Sequence, residues 1–170
     1  MLMVKTRIAQ SGTHGIGLFA AEFIPKGRVT WRFMPGLDLI VPEDILLQIS
    51  EASRSQFLNY CYVDKFTKHF ILCFDDERFI NHSKEPNIAQ SQVASETEGV
   101  EIATKDIQEG EELLCDYDEF DFDAHRKLNG LDLYKYAIDR SKENFQEFAE
   151  REHNFITKLF AINTKADTKN

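Results

Sequence analysis

Three short segments hold residue types at spacings that suit chemistry. In His14-Gly15-Ile16-Gly17-Leu18-Phe19-Ala20, two glycines flank one residue, so backbone N–H and C=O groups can approach a ligand closely. A plain turn between strands would use the same two glycines. In Arg78-Phe-Ile-Asn-His-Ser-Lys-Glu-Pro-Asn87, apolar residues lead into a polar run that Pro86 stiffens. Asn81 there offers two donors and an acceptor, and His82 and Ser83 add more; a buried loop backbone could also consume them. In Gly110-Glu-Glu-Leu-Leu-Cys-Asp-Tyr117, a phenol ends an apolar strand beside acids, and Asp118-Glu-Phe-Asp-Phe-Asp123 follows. Taken alone, Tyr117 reads as a strand-end tyrosine.

In this order and separation, the three segments resemble the SET-domain protein lysine methyltransferases. Gly15-Ile16-Gly17 is similar to the family's early GxG. Arg78 to Asn87 follows its Asn-His-Ser-x-x-Pro-Asn block, and Gly110 to Tyr117 its Gly-Glu-Glu-Leu and Asp-Tyr block. The likeness spans about Val4 to Asp121 and is nearest to small viral and bacterial members. It implies a mainly β fold with flanking helices: several small curved sheets and a knot-like crossing of the Asn81-His82 and Asp116-Tyr117 segments. It also implies S-adenosyl-L-methionine as cofactor, with a lysine of a basic protein or peptide entering from the opposite face. Gly15, Ile16 and Gly17 would hold the cofactor's amino-acid end through their backbone, Asn81 its charged groups and His82 its adenine edge. Tyr117 would be the active-site tyrosine, touching cofactor and substrate, and Tyr60, in the strand before the Asn-His-Ser block, a second one. Cys115 and Gln90 would line the substrate channel.

The departures from the pattern also lead to expectations. Many relatives close the lysine channel with a Cys-rich zinc segment after the Asp-Tyr block. Cys61, Cys73 and Cys115 are too scattered for that, so no metal is expected and the thiols are expected reduced and buried. Phe120, Phe122 and the helix after them are the substitute, and an aromatic there could stack on adenine. Lys84 replaces a Cys. Cys115 stands where a Phe or Tyr is common, which leaves the number of methyls added open.

Methyl transfer to an amine needs a neutral nitrogen. Lysine ionises at about 10.4 in water, so a desolvating channel beside a cation must lower that value. A SET-fold module that binds a lysine tail or the cofactor without turnover is the alternative. Loss of the tyrosine or of the Asn-His pair would mark such a module, and this chain keeps both.

The elements that must position these groups are short. Val4–Ile8, Val29–Phe33, Leu37–Val41, His69–Phe74 and Val100–Ala103 read as strands separated by Gly, Pro and Asp turns. Two turns echo each other, Phe23-Ile-Pro-Lys-Gly27 and Asp106-Ile-Gln-Glu-Gly110, each placing an Ile three residues before a Gly. One helix from Pro42 is expected, with Ile45, Leu46, Ile49 and Ala52 on one face. Residues 1–121 form the expected domain. Residues 122–163 form a helical extension with a Phe145-to-Phe160 stripe, packed inward or serving a homodimer, and 164–170 a frayed tail.

The chain has 170 residues, 42% hydrophobic and 29% charged, enough for a core of its own. Twenty Lys and Arg against 29 Asp and Glu give a net charge of −9. That argues against direct nucleic-acid binding and suits a cationic partner. Without an 18-residue apolar run or a signal-like start, the expected setting is intracellular and cytoplasmic, away from membrane.

Overall fold

The two echoing turns meet in the core. Ile24 and Ile107 each donate an amide hydrogen bond to the other's carbonyl, 2.9 Å in both directions, and both side chains are fully buried. Behind them, Gly27 and Gly110 reverse the chain at φ of 82° and 90°, a region other residues enter only at a cost. The same device used twice therefore joins the two halves of the sheet-forming chain.

A computed structural model describes residues 1–65, 67–91 and 100–129, all within one compact unit that spans Met1–Leu133. Strands β1 (Thr6–Gln10) and β2 (Ile16–Ala20) form an antiparallel hairpin, with Thr6 opposite Ala20 and Gln10 opposite Ile16. Strand β3 is Val29–Arg32 and β4 Leu39–Val41. Helices α1 (Glu43–Gln48) and α2 (Glu51–Tyr60) follow, then β5 (Tyr62–Val63) and β6 (Phe70–Leu72). A 3-10 turn at Asp76–Phe79 leads into β7 (Asn81–His82) and β8 (Ile88–Ser91). The described chain ends with β9 (Val100–Ala103), β10 (Leu114–Cys115), α3 (Tyr117–Phe120) and α4 (Ala124–Asn129). Among the described residues there are, besides the hairpin, two antiparallel three-stranded sheets, β3-β9-β8 and β4-β6-β5, and one parallel pair, β7 with β10. The architecture is mainly β in several small sheets.

Several elements differ from their sequence reading. The single helix is two. The chain breaks at Ile49, and the Ser50 hydroxyl accepts the Ser53 amide to start the second helix. The break also divides the expected face: Leu46 is 1% exposed and Ile49 packs against the core, but Ile45 is 42% exposed and Ala52 faces solvent. Tyr60 therefore closes a helix instead of sitting in a strand. Strands β2 and β8 were not expected, because the GxG and the polar Asn-Ile-Ala-Gln-Ser run mask them. The helical extension, its Phe145-to-Phe160 stripe and the tail lie outside the described residues beyond Asn129.

The parallel pair is the junction that matters. Leu114 stands opposite Asn81, and Cys115 opposite His82. Asn87 holds this junction from the side. Its amide donates to the Glu112 carbonyl at 2.8 Å, its side-chain oxygen accepts the Leu114 amide at 2.8 Å, and its backbone N–H reaches the Leu114 carbonyl at 3.0 Å. On the other side, Leu113 N–H donates to the Leu18 carbonyl and Ala20 N–H to the Glu111 carbonyl. The segment before Tyr117 is thus fixed between β2 and the Asn-His strand.

Asn87 is 5% exposed, so Asn87→Ala would strand two backbone groups away from water. Each such loss costs about 1–3 kcal/mol, and a stability drop of roughly 2–4 kcal/mol is expected. Urea unfolding measures it, and a midpoint equal to the parent's would remove Asn87 as the clamp.

Candidate functional site

Asn81, at the start of β7, is 8% exposed. Its amide nitrogen lies 3.1 Å from the His14 carbonyl, 3.1 Å from the Ile16 carbonyl and 2.9 Å from Glu112 Oε1. The two amide hydrogens are therefore committed to three acceptors on the GxG hairpin and on Glu112. Only the side-chain oxygen is left to accept from a ligand ammonium. Gly17 has a steric reason for its identity: a Cβ there would fall 2.1 Å from Glu112 Oε1 and 3.0 Å from Asn81 Nδ2. It makes room for the part-buried Asn81–Glu112 contact and does not line the cleft. Gly15 takes φ 53° in the turn itself.

His82 receives the Tyr117 backbone N–H on Nδ1 at 3.2 Å, which places the proton of the neutral ring on Nε2. Asp116 Oδ1 is 3.6 Å from the same nitrogen. Lys84 bridges Asp116 (3.1 and 3.2 Å) and Asp118 (2.5 Å) on the surface, and it pulls the Asp118 carboxyl below its ordinary range through that hydrogen bond. Lys84 thus ties the Asn-His-Ser loop to the Asp-Tyr loop by ion pairs.

The Tyr117 hydroxyl donates to the Ile80 carbonyl at 2.6 Å. Its ring packs near His82 (centroids 5.3 Å apart) and edge-on to Phe120 (6.0 Å). Burial pushes the phenol well above its ordinary range, so the group stays protonated, a donor and acceptor but not a base.

Two cavities share the Tyr117 ring as a wall. The larger, about 680 Å³, is lined by His14, Gly15, Ile16, Asn81 and His82 together with Tyr60, Phe79 and Leu128. The smaller, about 50 Å³, runs inward between Tyr60, Tyr62, Ile80 and Tyr117 to Trp31, Cys73, Glu77 and Glu101. Ile16 and Tyr60 expose 47% and 39% of their surface and give the larger cleft apolar walls beside the Asn81 oxygen and the His82 backbone. A nucleoside joined to an amino acid fits that combination of apolar walls and polar ends.

The structure thus brings Gly15, Ile16, Asn81, His82, Tyr60 and Tyr117 together. Besides Gly17, whose place is given above, it leaves four other sequence candidates elsewhere. Cys115 is 2% exposed and packs with Leu18, Ile24 and Ile107, because its register opposite His82 aims it into the core; it does not line the described channel. Gln90 lies in β8 opposite Glu101 and lines neither cavity. Phe120 is buried against Tyr62 (centroids 5.3 Å) and forms the inner cavity, not an adenine shelf. Phe122 is 50% exposed under the Lys68 ammonium, 3.5 Å from its ring centroid, away from the cleft.

The residues after Tyr117 also form part of the wall of the smaller cavity. Phe122 N–H donates to the Val63 carbonyl and Lys65 N–H to the Phe120 carbonyl, so this segment pairs with the strand after Tyr60. From α4, the Lys127 ammonium pairs with Asp121 at 2.6 Å, donates to the Cys61 carbonyl and sits 5.7 Å from the Tyr117 ring centroid. It lines both cavities. No motif marks Lys127, and Tyr62, Trp31, Cys73, Glu77 and Glu101 also lack one.

Glu77 and Glu101 face each other at the inner end of the small cavity, 3% and 7% exposed. Two buried carboxyls this near each other cannot both ionise freely, and a hydrogen bond between them would need a proton on one. Burial first, then the neighbouring carboxylates Glu101 and Asp75, raises Glu77 well above the carboxylate range, and burial raises Glu101 to about 7. A carboxyl raised on folding stabilises fully below its unfolded value near 4.5 and loses that contribution as pH climbs through its folded value. The loss for Glu101 is on the order of 3 kcal/mol. Between about pH 5 and 8 the parent's melting temperature should therefore fall relative to that of Glu101→Gln; parallel curves would contradict the pairing.

The SET-domain family model matches residues 15–118, from the GxG through the Asp-Tyr block. No curated protein matches the sequence. Among solved structures, the chain is similar to apo Polycomb Repressive Complex 2 of Chaetomium thermophilum in an autoinhibited state: 26% identity, TM-score 0.52, over 75% of this chain and 17% of that one. A humanised mutant of the same complex bound to an inhibitor gives 25% identity and TM-score 0.50, over 69% and 15%. The S-adenosylmethionine-bound form, at 24% identity and TM-score 0.53 over 82% and 17%, shares the fold. This chain thus spans only a small part of the length of these complex subunits. With the match over most of its described residues and the parallel pairing of β7 with β10 in place, the chain belongs to the SET-domain family.

Proposed function

We propose that the protein is an S-adenosyl-L-methionine-dependent methyltransferase that modifies a lysine side chain of a basic protein or peptide. The observation that carries this reading is the shared wall: a cofactor-sized cleft and a narrow inner cavity meet at Tyr117, Tyr60 and Ile80. Bound in the larger cleft, the cofactor would supply a methyl group on a positive sulfonium. The Ile16 and His82 backbones would fix its two ends, and the Asn81 oxygen would accept from its ammonium. The committed Asn81 amide makes the GxG hairpin a rigid wall for it.

A substrate lysine would enter the inner cavity with its stem against Tyr60 and Tyr62. Alignment of amine and methyl carbon does most of what such a displacement needs, and held geometry can contribute roughly 7–11 kcal/mol. The Tyr117 hydroxyl, fixed by its bond to Ile80, keeps lone pairs to orient the amine hydrogens or the methyl C–H groups. The Lys127 cation at the cavity wall disfavours a second positive charge, which lowers the substrate's pKa, while Asp121 holds Lys127 in place. The net charge of −9 favours encounter with a basic partner. The three free, buried cysteines suit the reducing cytoplasm proposed as its setting.

Tyr117→Phe keeps the ring and removes the hydroxyl. The Ile80 carbonyl then loses its partner, a stability loss of about 1–3 kcal/mol. Cofactor affinity by calorimetry should stay within a few-fold, while kcat and kcat/KM fall together, on the order of a hundredfold. Equal turnover would make Tyr117 structural. A parent protein that binds cofactor yet modifies no basic protein by mass spectrometry would be a binding module instead.

A further inference from the structure

The inner cavity does not end on an apolar wall. It ends on two carboxyl groups, in a wall that also holds Tyr62, Tyr117 and the Trp31 indole. Apart from each other, neither oxygen of Glu77 nor Oε2 of Glu101 has a hydrogen-bond partner among the described residues, and Trp31 Nε1 has none either. Burying two acids without a basic partner is costly, and no packing role calls for it. Burial keeps Tyr117 protonated and Asp121 is paired with Lys127, so Glu77 and Glu101 are the carboxyls in the wall of this cavity that have no cationic partner among the described residues.

Resting on the lysine-methyltransferase reading, we infer that the Glu77–Glu101 pair accepts the proton that the substrate ammonium must lose before methyl transfer. A cavity of about 50 Å³ is wide enough for a relay water, which needs two to four polar partners; the carboxyls, the indole N–H and the entering ammonium supply them. The balance is simple. The substrate N–H bond breaks and leaves its electron pair on nitrogen. The proton moves through water to the Glu101 carboxylate, while Glu77 keeps the proton shared by the pair. The nitrogen pair then forms the bond to the methyl carbon as the carbon–sulfur pair returns to sulfur. Glu101 releases its proton to solvent after the product leaves. A base poised near neutral pH serves this role best, and burial sets Glu101 at about 7. The charges that act on the pair are Asp75, which raises both values, and the Met1 amino group, which lowers both; the Cys73 thiol beside them is itself held protonated by burial. Arg78, Asp121 and Lys127 line the outer part of the same cavity.

The test is the pH–rate profile of the full chain with S-adenosylmethionine and a mixture of core histones and ribosomal proteins. The parent's kcat should rise through an apparent pKa of about 7. Folded Glu101→Gln should lose that limb and fall by about tenfold or more at neutral pH. It should recover as the solution approaches lysine's own value of about 10.4. Carbon-13 NMR of labelled Glu carboxyls in the free protein, which needs neither cofactor nor substrate, should show one group titrating near neutrality that Glu101→Gln removes. Glu77→Gln gives Glu101 a permanent amide donor, and it should move both that titration and the kinetic limb to lower pH together. A Glu101→Gln profile that matches the parent, or a kinetic limb that ignores the carboxyl titration, overturns the inference. A parent inactive at every pH defeats the methyltransferase reading instead, and the carboxyl spectrum then decides the pair: without a neutral-pH titration, the inference falls with it.

Discussion

The constraint on which the rest depends is the meeting of two chain segments far apart in sequence, Asn81-His82 and Leu114-Cys115, as a two-residue parallel pair. So short a ladder has little stability of its own. It holds because side chains complete it: Asn87 bonds the backbone of residues 112–114, and Asn81 bonds Glu112 and the GxG hairpin. A Cβ at Gly17 would push the Glu112 carboxyl out of that contact. Tyr117 emerges directly from the junction, and its N–H and hydroxyl return to His82 and Ile80 on the facing segment. Its ring therefore has no freedom to leave the boundary between the two cavities.

The Asp121 carboxylate fixes the segment after Tyr117 with hydrogen bonds. It accepts the Val63 and Asp123 amides and pairs with Lys127, while Phe122 bonds back to Val63. The result is a polar, charged rim around an aromatic tunnel, with an acid pair at its inner end. Ordinary structural demands would replace Glu77 and Glu101 with apolar residues of similar size, as buried charge is rarely favourable for stability. Their presence in a wall shared with Tyr117 points to a use for their charge.

Motif-bearing residues were legible in the sequence because their chemistry is local. The two Asn of the Asn-His-Ser block, the GxG, the tyrosine and the paired Ile-x-x-Gly turns each have a side-chain or backbone need that only one residue type meets. What sequence could not show depends on register. Cys115 reads as a channel residue until the parallel pairing turns it into the core, and Gln90 is carried away from the cavities by its place in β8. The helix break at Ile49 moved Tyr60 from strand to helix end without taking it from the site. Phe120 and Phe122 are the same residue type two positions apart, yet one is 6% exposed and the other 50%. Glu77 and Glu101 were invisible because charged residues in a polar-looking stretch read as solvent-facing until the sheets are assembled.

The central claim is that two ligands meet at Tyr117 from opposite sides. Amide NMR titration with S-adenosylhomocysteine, followed by a lysine-bearing basic peptide, tests it most directly. The account predicts first-step shifts at Gly15, Ile16, Asn81 and His82 and second-step shifts at Tyr60 and Tyr62, with Tyr117 moving in both. Shifts from both ligands confined to one cavity, or cofactor shifts centred on Phe122 with Asn81 and His82 unmoved, would contradict it.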